Sequence, residues 1–311
     1  MKLGGFFRAK FQAQDFSILS VMAAKRTKKP VKKAVKKKAP QAKKYPIAYW
    51  SHSSLMSFLR NPLAWYKRYV DKIYDTPRGP ASIVGSAGHL ALEHFYGGVD
   101  KETAIQIGLQ YLRNVPDFEI QFGVAKTAKA KKAKRESMER EYLQAIGYYL
   151  HKPPRHKVLG IEVKGLAHVE GHVLPIKAIS DLVVESKGTP GAVDIVDHKF
   201  VDSFSKGGDK PLFLMQAIFN YYTVSELFGR PVRRFIVIEC KKRKNADGKP
   251  QMRRYTIEYS EVADAFEVFH RLLHDATIEL GRERMYLPNP SDMFEGEHSF
   301  DLYRLRLADG E

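Results

Sequence analysis

The segment Lys177–Lys199, KAISDLVVESKGTPGAVDIVDHK, constrains the fold of this chain more than any other stretch. Two apolar, β-branched runs flank a turn rich in glycine and proline, a pattern that predicts a hairpin of two strands. Each run carries a carboxylate where a core residue would be expected, Asp181 in the first and Asp197 at the end of the second. Because side chains alternate along a strand, Asp197 and Lys199 share one face and His198 points away.

The predicted turn brings these charged side chains close together. Two carboxylates and a lysine are costly to desolvate at one place unless a cation or a substrate compensates their charge. A plainer interpretation is an exposed ion pair between Asp197 and Lys199 at a fraying strand end. Patterns elsewhere in the chain favour the first interpretation, a functional site.

Several helices are expected on either side of this hairpin. Ser51–Leu59 has apolar residues at helical spacing, and Asn61 caps a second helix that starts at Pro62. Pro211–Phe228 predicts an apolar helix that contains Gln216, a neutral hydrogen-bonding side chain.

The segment Gly85–Tyr96, GSAGHLALEHFY, predicts a helix that opens with small residues, which permit close approach to a neighbouring backbone. Gly85, His89 and Glu93 recur every four residues and therefore share one helix face. A single histidine on a helix is most often a core residue, so spacing alone does not make His89 a ligand.

The remaining elements follow from periodicity and from breakers. They are helices over 126–150 and 262–280 and strands over 158–163, 168–173, 234–240 and 253–259. The first of these helices is rich in lysine, which is typical of a solvated helix; contact with phosphates is the alternative. His168 and His172 would lie about 13 Å apart on a strand, which makes them a poor chelate.

Taken together and in this order, the segments from residue 50 to 225 resemble the PD-(D/E)XK nuclease superfamily. Within it they resemble the RecB-like exonuclease branch, which includes CRISPR-associated and phage exonucleases. The hairpin is similar to its carboxylate and acid-x-Lys segments, Gly85–His89 to its Gly-x-x-x-His segment, and Gln216 to its Gln-x-x-x-Tyr segment. The resemblance implies an α/β fold with a restriction-endonuclease-like core, a central mixed sheet flanked by helices, and an N-terminal helical cap.

The resemblance also implies a divalent-metal site for phosphodiester hydrolysis. His89, Asp181, Asp197 and the backbone carbonyl of Phe200 would hold Mg²⁺ or Mn²⁺, since oxygen ligands suit both and the imidazole favours tolerance of Mn²⁺. Lys199 would orient the nucleophile or stabilise the transition-state charge.

Several other residues have secondary roles in the implied site. Gln216 would position the catalytic lysine and the substrate, Glu93 would orient the histidine or a nearby lysine, and Glu162 would add a carboxylate. Position 220 is asparagine where the family has tyrosine, so either Asn220 or Tyr221 would take that role.

The basic charge of the chain is concentrated in its first 44 residues. They contain 14 Lys/Arg and one acid, so they carry +13 of the net +17. The lysine-rich segment 25–44 has no core-forming pattern, and we expect a disordered basic tail over 1–44 ahead of a nuclease domain over 45–311. The predicted DNA-binding residues in this tail are Lys28, Lys29, Lys32, Lys33, Lys36, Lys37 and Lys38; a solubilising tail or a cloning artefact is the alternative.

Composition narrows the remaining options. Cys240 is the only cysteine, which predicts a reducing compartment and no intrachain disulfide. Some members of the family bind an iron–sulfur cluster through four cysteines, one of them at the place of Asn61, so no cluster is expected here. We find no run long enough to span a membrane and no convincing signal peptide; an organelle presequence is the less favoured alternative.

The leading hypothesis is a Mg²⁺- or Mn²⁺-dependent DNA exonuclease that acts on linear DNA ends in phage or bacterial recombination, repair or replication. It would act in the cytoplasm, with recombination or replication proteins as further partners. The alternative is a catalytically silent nucleic-acid-binding subunit that keeps the fold. A sequence-specific endonuclease would share the core, but restriction enzymes lack the segments containing His89 and Gln216.

Overall fold

The computed structural model describes residues 45–289 apart from 75–76, 206–209, 247–248 and 284–285. All of these residues belong to one unit, Lys43–Glu311. The basic tail predicted over 1–44, with its seven candidate DNA-binding lysines, lies outside the described residues. Among the described helices, none combines the length and the apolar character that crossing a membrane would require.

A mixed sheet of six strands forms the centre of the fold. The strands are β1 (Trp50–Ser51), β2 (Val158–Ala167), β3 (Ile176–Glu185), β4 (Val193–Val201), β5 (Val232–Lys241) and β6 (Met252–Glu258). β3 runs antiparallel to β2 along the whole length of β3. The second half of β3 is also antiparallel to β4, and the start of β3 pairs in parallel with β1. β4 is parallel to β5, which is antiparallel to β6.

Seven α-helices are described around this sheet. They are α1 (His52–Arg60), α2 (Pro62–Tyr69), α3 (Pro80–Tyr96), α4 (Lys101–Asn114), α5 (Ala128–His151), α6 (Lys210–Phe228) and α7 (Ala263–Leu280). The predicted α/β fold, with a central mixed sheet, flanking helices and helices at its N-terminal side, is confirmed. As predicted, Ser51 caps α1 and Asn61 caps α2 through side-chain oxygens that accept backbone N–H groups.

The helices cover the two faces of the sheet. Alternate residues of β4 divide accordingly, with Val196 in the core beneath α3, α4 and α5, and Ile195 in the core beneath α6. A third apolar cluster joins α1, α2 and α7 around Trp50 and Trp65, both fully buried. This alternation decides which helix each polar side chain of β4 faces.

Two elements differ from the sequence prediction. The strand predicted over 168–173 is wrong, because these residues belong to the loop between β2 and β3, where Gly171 has φ 78°. In this loop His172 Nε2 lies 2.9 Å from His270 Nδ1. The helix α4, capped by Asp100, was not predicted. The turn predicted at 247–248 lies outside the described residues.

Candidate active site

The predicted hairpin opens into a fork at the place where its carboxylates lie. The β3–β4 ladder extends from Glu185↔Val193 to Leu182↔Val196 and stops there. Beyond this pair the backbone N–H of His198 donates to Asp181 Oδ2 at 2.7 Å instead of to a backbone carbonyl. A carboxylate therefore occupies the gap between the two diverging strands.

Asp197 and Lys199 lie on one side of β4, as the alternation predicted, and in the structure this is the side that faces α6. Lys199 Nζ is 2.9 Å from Asp197 Oδ2, and the Asp197 side chain is only 6% exposed. The other oxygen, Oδ1, accepts a hydrogen bond from Gln216 Nε2 at 2.7 Å. The interpretation as an exposed ion pair at a fraying end is therefore wrong, since Asp197 is buried and β4 stays paired with β5 beyond Lys199, whose side chain is 30% exposed.

A second group of polar side chains lies next to this pair. One ligand-type atom from each of His89, Glu162 and Asp181 lies within 4.8 Å of the others. His89 comes from α3, where its Nδ1 is 3.3 Å from Asp181 Oδ2, and Glu162 comes from β2. Three elements that are distant in sequence thus converge on the fork.

The backbone of β2 bends to bring Glu162 into this position. Glu162 has φ 47°, in the left-handed region that side-chain-bearing residues rarely occupy. Such a conformation costs on the order of 1–3 kcal/mol and persists only when the surrounding structure enforces it. Strain of this kind at a polar cluster indicates that the position of the carboxylate matters.

The electrostatics of the cluster favour a bound cation. Burial, together with the Asp181 anion, raises the pKa of Glu162. Burial also tends to raise the pKa of Asp181, but contacts from His198 and His89 outweigh it and hold that pKa below its ordinary value. For His89, burial lowers the pKa, and the neighbouring Asp181 carboxylate more than reverses the effect. Crowded anions with limited solvent are stabilised by a positive ion.

The Asp197–Lys199 pair responds differently to burial. Burial raises the pKa of Asp197; the Lys199 cation counters this shift and the Asp181 anion adds to it. Burial would lower the pKa of Lys199, but the Asp197 anion outweighs it and the net shift is upward. Both pKa values are therefore raised, that of Asp197 because burial and the Asp181 anion outweigh the Lys199 cation, and that of Lys199 because the Asp197 and Asp181 anions outweigh burial.

Three further residues predicted for the site are Phe200, Glu93 and Tyr221, and the structure shows what each of them contacts. The ring of Phe200 packs edge-on against His89, with ring centroids 5.6 Å apart, and its carbonyl as a ligand stays a prediction. Glu93 is exposed on α3, near enough for its charge to raise the pKa of Glu162. Tyr221 packs 4.8 Å from Tyr259, ring to ring, against the apolar cluster beneath α6.

Asn220 links the helix of Gln216 to the strand of Asp181. Its Nδ2 donates to the Gln216 carbonyl at 2.8 Å, and its Oδ1 accepts from Ser180 Oγ at 2.6 Å. Asn220 is buried, so this bridge is shielded from water. Of the two candidates for the family's tyrosine position, Asn220 is the one that contacts the site's supporting residues.

Sequence reasoning missed His198 as part of the site. Alternation correctly placed its side chain away from Asp197 and Lys199, but the opposite side of the fork also faces a carboxylate. Its Nδ1 lies 3.4 Å from Asp181 Oδ2. The sequence signal that could have found His198 is a histidine between Asp197 and Lys199 on a buried strand. An apolar residue would fit that position equally well, so a polar one there indicates a role.

The donor set suits a hard divalent cation. Mg²⁺ and Mn²⁺ bind carboxylate oxygens, and Mn²⁺ also accepts imidazole. Ligands on opposite sides of Mg²⁺ are roughly 4 Å apart, so the spread of up to 4.8 Å among His89, Glu162 and Asp181 requires only small side-chain movements. Glu162, predicted as an additional carboxylate near the site, lies within this donor set, while Asp197 is held by Lys199 and Gln216.

Comparisons with known proteins bear on this geometry. The model of a family described as the PD-(D/E)XK nuclease superfamily matches residues 49–290. A solved candidate exonuclease from Eubacterium rectale is 14% identical over 80% of this chain and 94% of its own, with a TM-score of 0.47. A second solved protein, SSO0001, is 19% identical over 75% and 86% of the two chains, with a TM-score of 0.29. No curated protein sequence matches the chain.

Proposed function

This chain belongs to the PD-(D/E)XK nuclease superfamily, and from that membership we propose that it is a metal-dependent DNA exonuclease. The superfamily consists of nucleic-acid hydrolases that use divalent metals. The observation that supports an active site in this chain is the convergence of His89, Glu162 and Asp181 beside the Asp197–Lys199 pair. A catalytically silent subunit would have no need of so much buried charge.

The residues that would hold the metal are His89, Glu162 and Asp181, and the family resemblance adds Asp197 and the Phe200 carbonyl. A divalent ion bound there supplies Lewis acidity and lowers the pKa of a water molecule. The carboxylates keep their charges close to the reacting phosphate only while that ion neutralises them.

Lys199 and Gln216 act on the substrate and on the attacking water. Lys199 Nζ is a cation held in place by Asp197, so it donates to a phosphate oxygen whose negative charge increases in the transition state. Gln216 donates one amide hydrogen to Asp197, and its amide group thereby acquires a fixed orientation. The carboxylate of Asp197 is thus oriented from both sides before substrate arrives.

The finer features of the proposal rest on the family resemblance and on charge. We propose DNA ends as the substrate, Mg²⁺ or Mn²⁺ as the metal, and a role in phage or bacterial recombination, repair or replication in the cytoplasm. Residues 1–44 carry +13 and are proposed as an arm that attracts the phosphate backbone.

The decisive experiment compares DNA forms and metals. Purified full-length protein is incubated with end-labelled linear duplex, linear single strands and covalently closed circles, in Mg²⁺, Mn²⁺ or EDTA. We expect linear DNA to shorten in either metal, closed circles to survive, and EDTA to stop the reaction. Rapid nicking or linearisation of closed circles would indicate an endonuclease instead.

A pair of matched acid-to-amide variants tests whether the cleavage comes from this protein or from a contaminating nuclease. Asp197→Asn should abolish cleavage, whereas Glu102→Gln, at a side chain 71% exposed on α4, should leave it unchanged. DNA binding without cleavage by the wild-type protein in both metals would favour the silent subunit.

A further inference from the structure

A chain of buried hydrogen bonds lies behind the fork, on the α3 and α5 side of the sheet. His198 is 1% exposed, and its Nε2 lies 2.9 Å from the hydroxyl of Tyr149 on α5. That hydroxyl is 2.5 Å from the hydroxyl of Tyr96 on α3. The Tyr149 ring meets the imidazole edge-on, with centroids 5.2 Å apart, so packing as well as hydrogen bonding fixes the ring.

The other ring nitrogen of His198 faces the site. Nδ1 is 3.4 Å from Asp181 Oδ2, the oxygen that also accepts the backbone N–H of His198. Nδ1 has no hydrogen-bond partner among the residues that the structure describes. Because an unsatisfied buried N–H is costly, the Asp181 carboxylate is the acceptor that this nitrogen favours, and a small carboxylate rotation closes the distance.

The direction of these hydrogen bonds follows from the carboxylate beside Nδ1. A lone pair on Nδ1 would face Asp181 Oδ2 and be repelled by its charge, so the ring carries a proton on Nδ1. In the neutral imidazole Nε2 is then the acceptor, and Tyr149 donates to it. Burial, the largest effect, raises the pKa of Tyr96 to about 12 and that of Tyr149 well above its ordinary value, so both hydroxyls keep their protons at neutral pH. Tyr149 thereby stabilises the tautomer that directs an N–H at Asp181.

We infer that His198, held by Tyr149 and Tyr96, is a positioning residue that fixes the orientation of the Asp181 carboxylate for metal binding. This inference rests on the proposed function, in which Asp181 is a metal ligand. The contacts from His198 and His89 converge on Oδ2 and so determine which oxygen of Asp181 is turned towards the imidazoles. Outer contacts of this kind typically change metal affinity 10- to 100-fold.

The first test uses two tyrosines of the same helix. Tyr149 and Tyr142 are both fully buried on α5, and Tyr142 donates to the carbonyl of Ile105 at 2.8 Å, away from the fork. Tyr149→Phe and Tyr142→Phe each remove one buried hydroxyl, so similar losses of Tm are expected. Only Tyr149→Phe should raise the Kd for Mn²⁺, by about 10-fold, measured by calorimetry or electron paramagnetic resonance without nucleic acid.

A second test changes the imidazole itself. His198→Asn keeps an N–H close to the position of Nδ1, whereas His198→Phe keeps a ring and removes the donor. We expect the asparagine variant to bind Mn²⁺ within about threefold of wild type and the phenylalanine variant to bind at least 10-fold more weakly. Circular dichroism and Tm establish that each variant is folded.

The outcomes separate this inference from the proposed function. A wild-type protein that binds no Mn²⁺ would overturn the metal site and with it both proposals. Mn²⁺ binding by the wild type, with equal Kd values for Tyr149→Phe and Tyr142→Phe, would overturn the positioning role alone. A wild-type Kd for His198→Phe would do the same.

Discussion

Replacing Gly88 with alanine should force α3 away from β4 and disturb the site without altering any proposed ligand. Gly88 precedes His89, and three ring carbons of Phe200 lie within 2.7 Å of the position that a Cβ would occupy. Ordinary contact begins near 3.4 Å, so the ring or the helix must move by roughly 1 Å. The small residue at position 88 therefore makes room for the ring of Phe200 rather than for a neighbouring backbone.

The size of the effect follows from two opposing contributions. Overpacking a buried position costs about 1–3 kcal/mol, while alanine recovers about 0.5–1 kcal/mol of helix propensity. We expect a net loss of about 1–2 kcal/mol in the free energy of unfolding. Gly85→Ala is the matched control, because a Cβ there meets open space, and it should stabilise the protein by about 0.5–1 kcal/mol.

The assay is urea denaturation combined with metal titration. Gly88→Ala should also weaken Mn²⁺ binding, because His89 moves with the helix relative to Asp181. Phe200→Leu removes the clashing ring, so in a double-mutant cycle it should recover at least 1 kcal/mol of the Gly88→Ala loss. Equal stability of Gly88→Ala and Gly85→Ala, or a coupling energy near zero, would refute the reasoning.

Four further predictions concern separate parts of the chain. Lys199→Ala should abolish cleavage in a gel assay while filter binding still detects DNA; wild-type turnover would remove Lys199 from the mechanism. Burial, with a smaller effect from His198, lowers the pKa of His156 from 6.5 to about 4, so the unfolded chain binds more protons between these values. The contribution of His156 to the free energy of unfolding should therefore be complete above pH 6.5 and should fall as the pH drops towards 4. In thermal melts at several pH values, His156→Phe should reduce this loss of stability by about 1–2 kcal/mol. A pH profile of stability parallel to that of the wild type would contradict the prediction. Burial raises the pKa of Cys240 to about 12, so a thiol reagent at pH 8 should label it only after denaturation, and rapid labelling of folded protein would contradict its burial. Removing residues 1–44 takes away +13 and should lower the slope of log affinity against log salt by roughly 4–5 units, with single-turnover cleavage preserved; an unchanged slope would make the tail a solubiliser.

The parts of the fold that were predictable from sequence depend on local pattern. The hairpin of β3 and β4 follows from two β-branched runs around a glycine- and proline-containing turn, and α1 and α2 follow from their capping residues. Alternation alone placed Asp197 and Lys199 on one side of β4, where Gln216 of α6 meets them. These features need only neighbouring residues to form.

What remained unpredictable depends on contacts between distant segments. Glu162 reaches the cluster through a left-handed backbone conformation that an ordinary β pattern does not indicate. His198 acquires its role from Tyr149, which is 49 residues away. The alternation over 168–173 does not mark a strand, since these residues form a loop in which His172 contacts His270 of the distant helix α7.

The bend at Glu162 also changes the edge that the sheet presents to other molecules. β2 pairs with β3 on one side, and among the described strands none pairs with its other side. A regular edge of this length, with Leu159 and Leu166 exposed, would be a template for pairing with another molecule. The left-handed residue in the middle of the strand, together with the register shift between Val158 and Gly160, interrupts that edge. The same backbone distortion that carries a carboxylate into the fork therefore breaks the regular edge that a strand of another molecule would need for pairing.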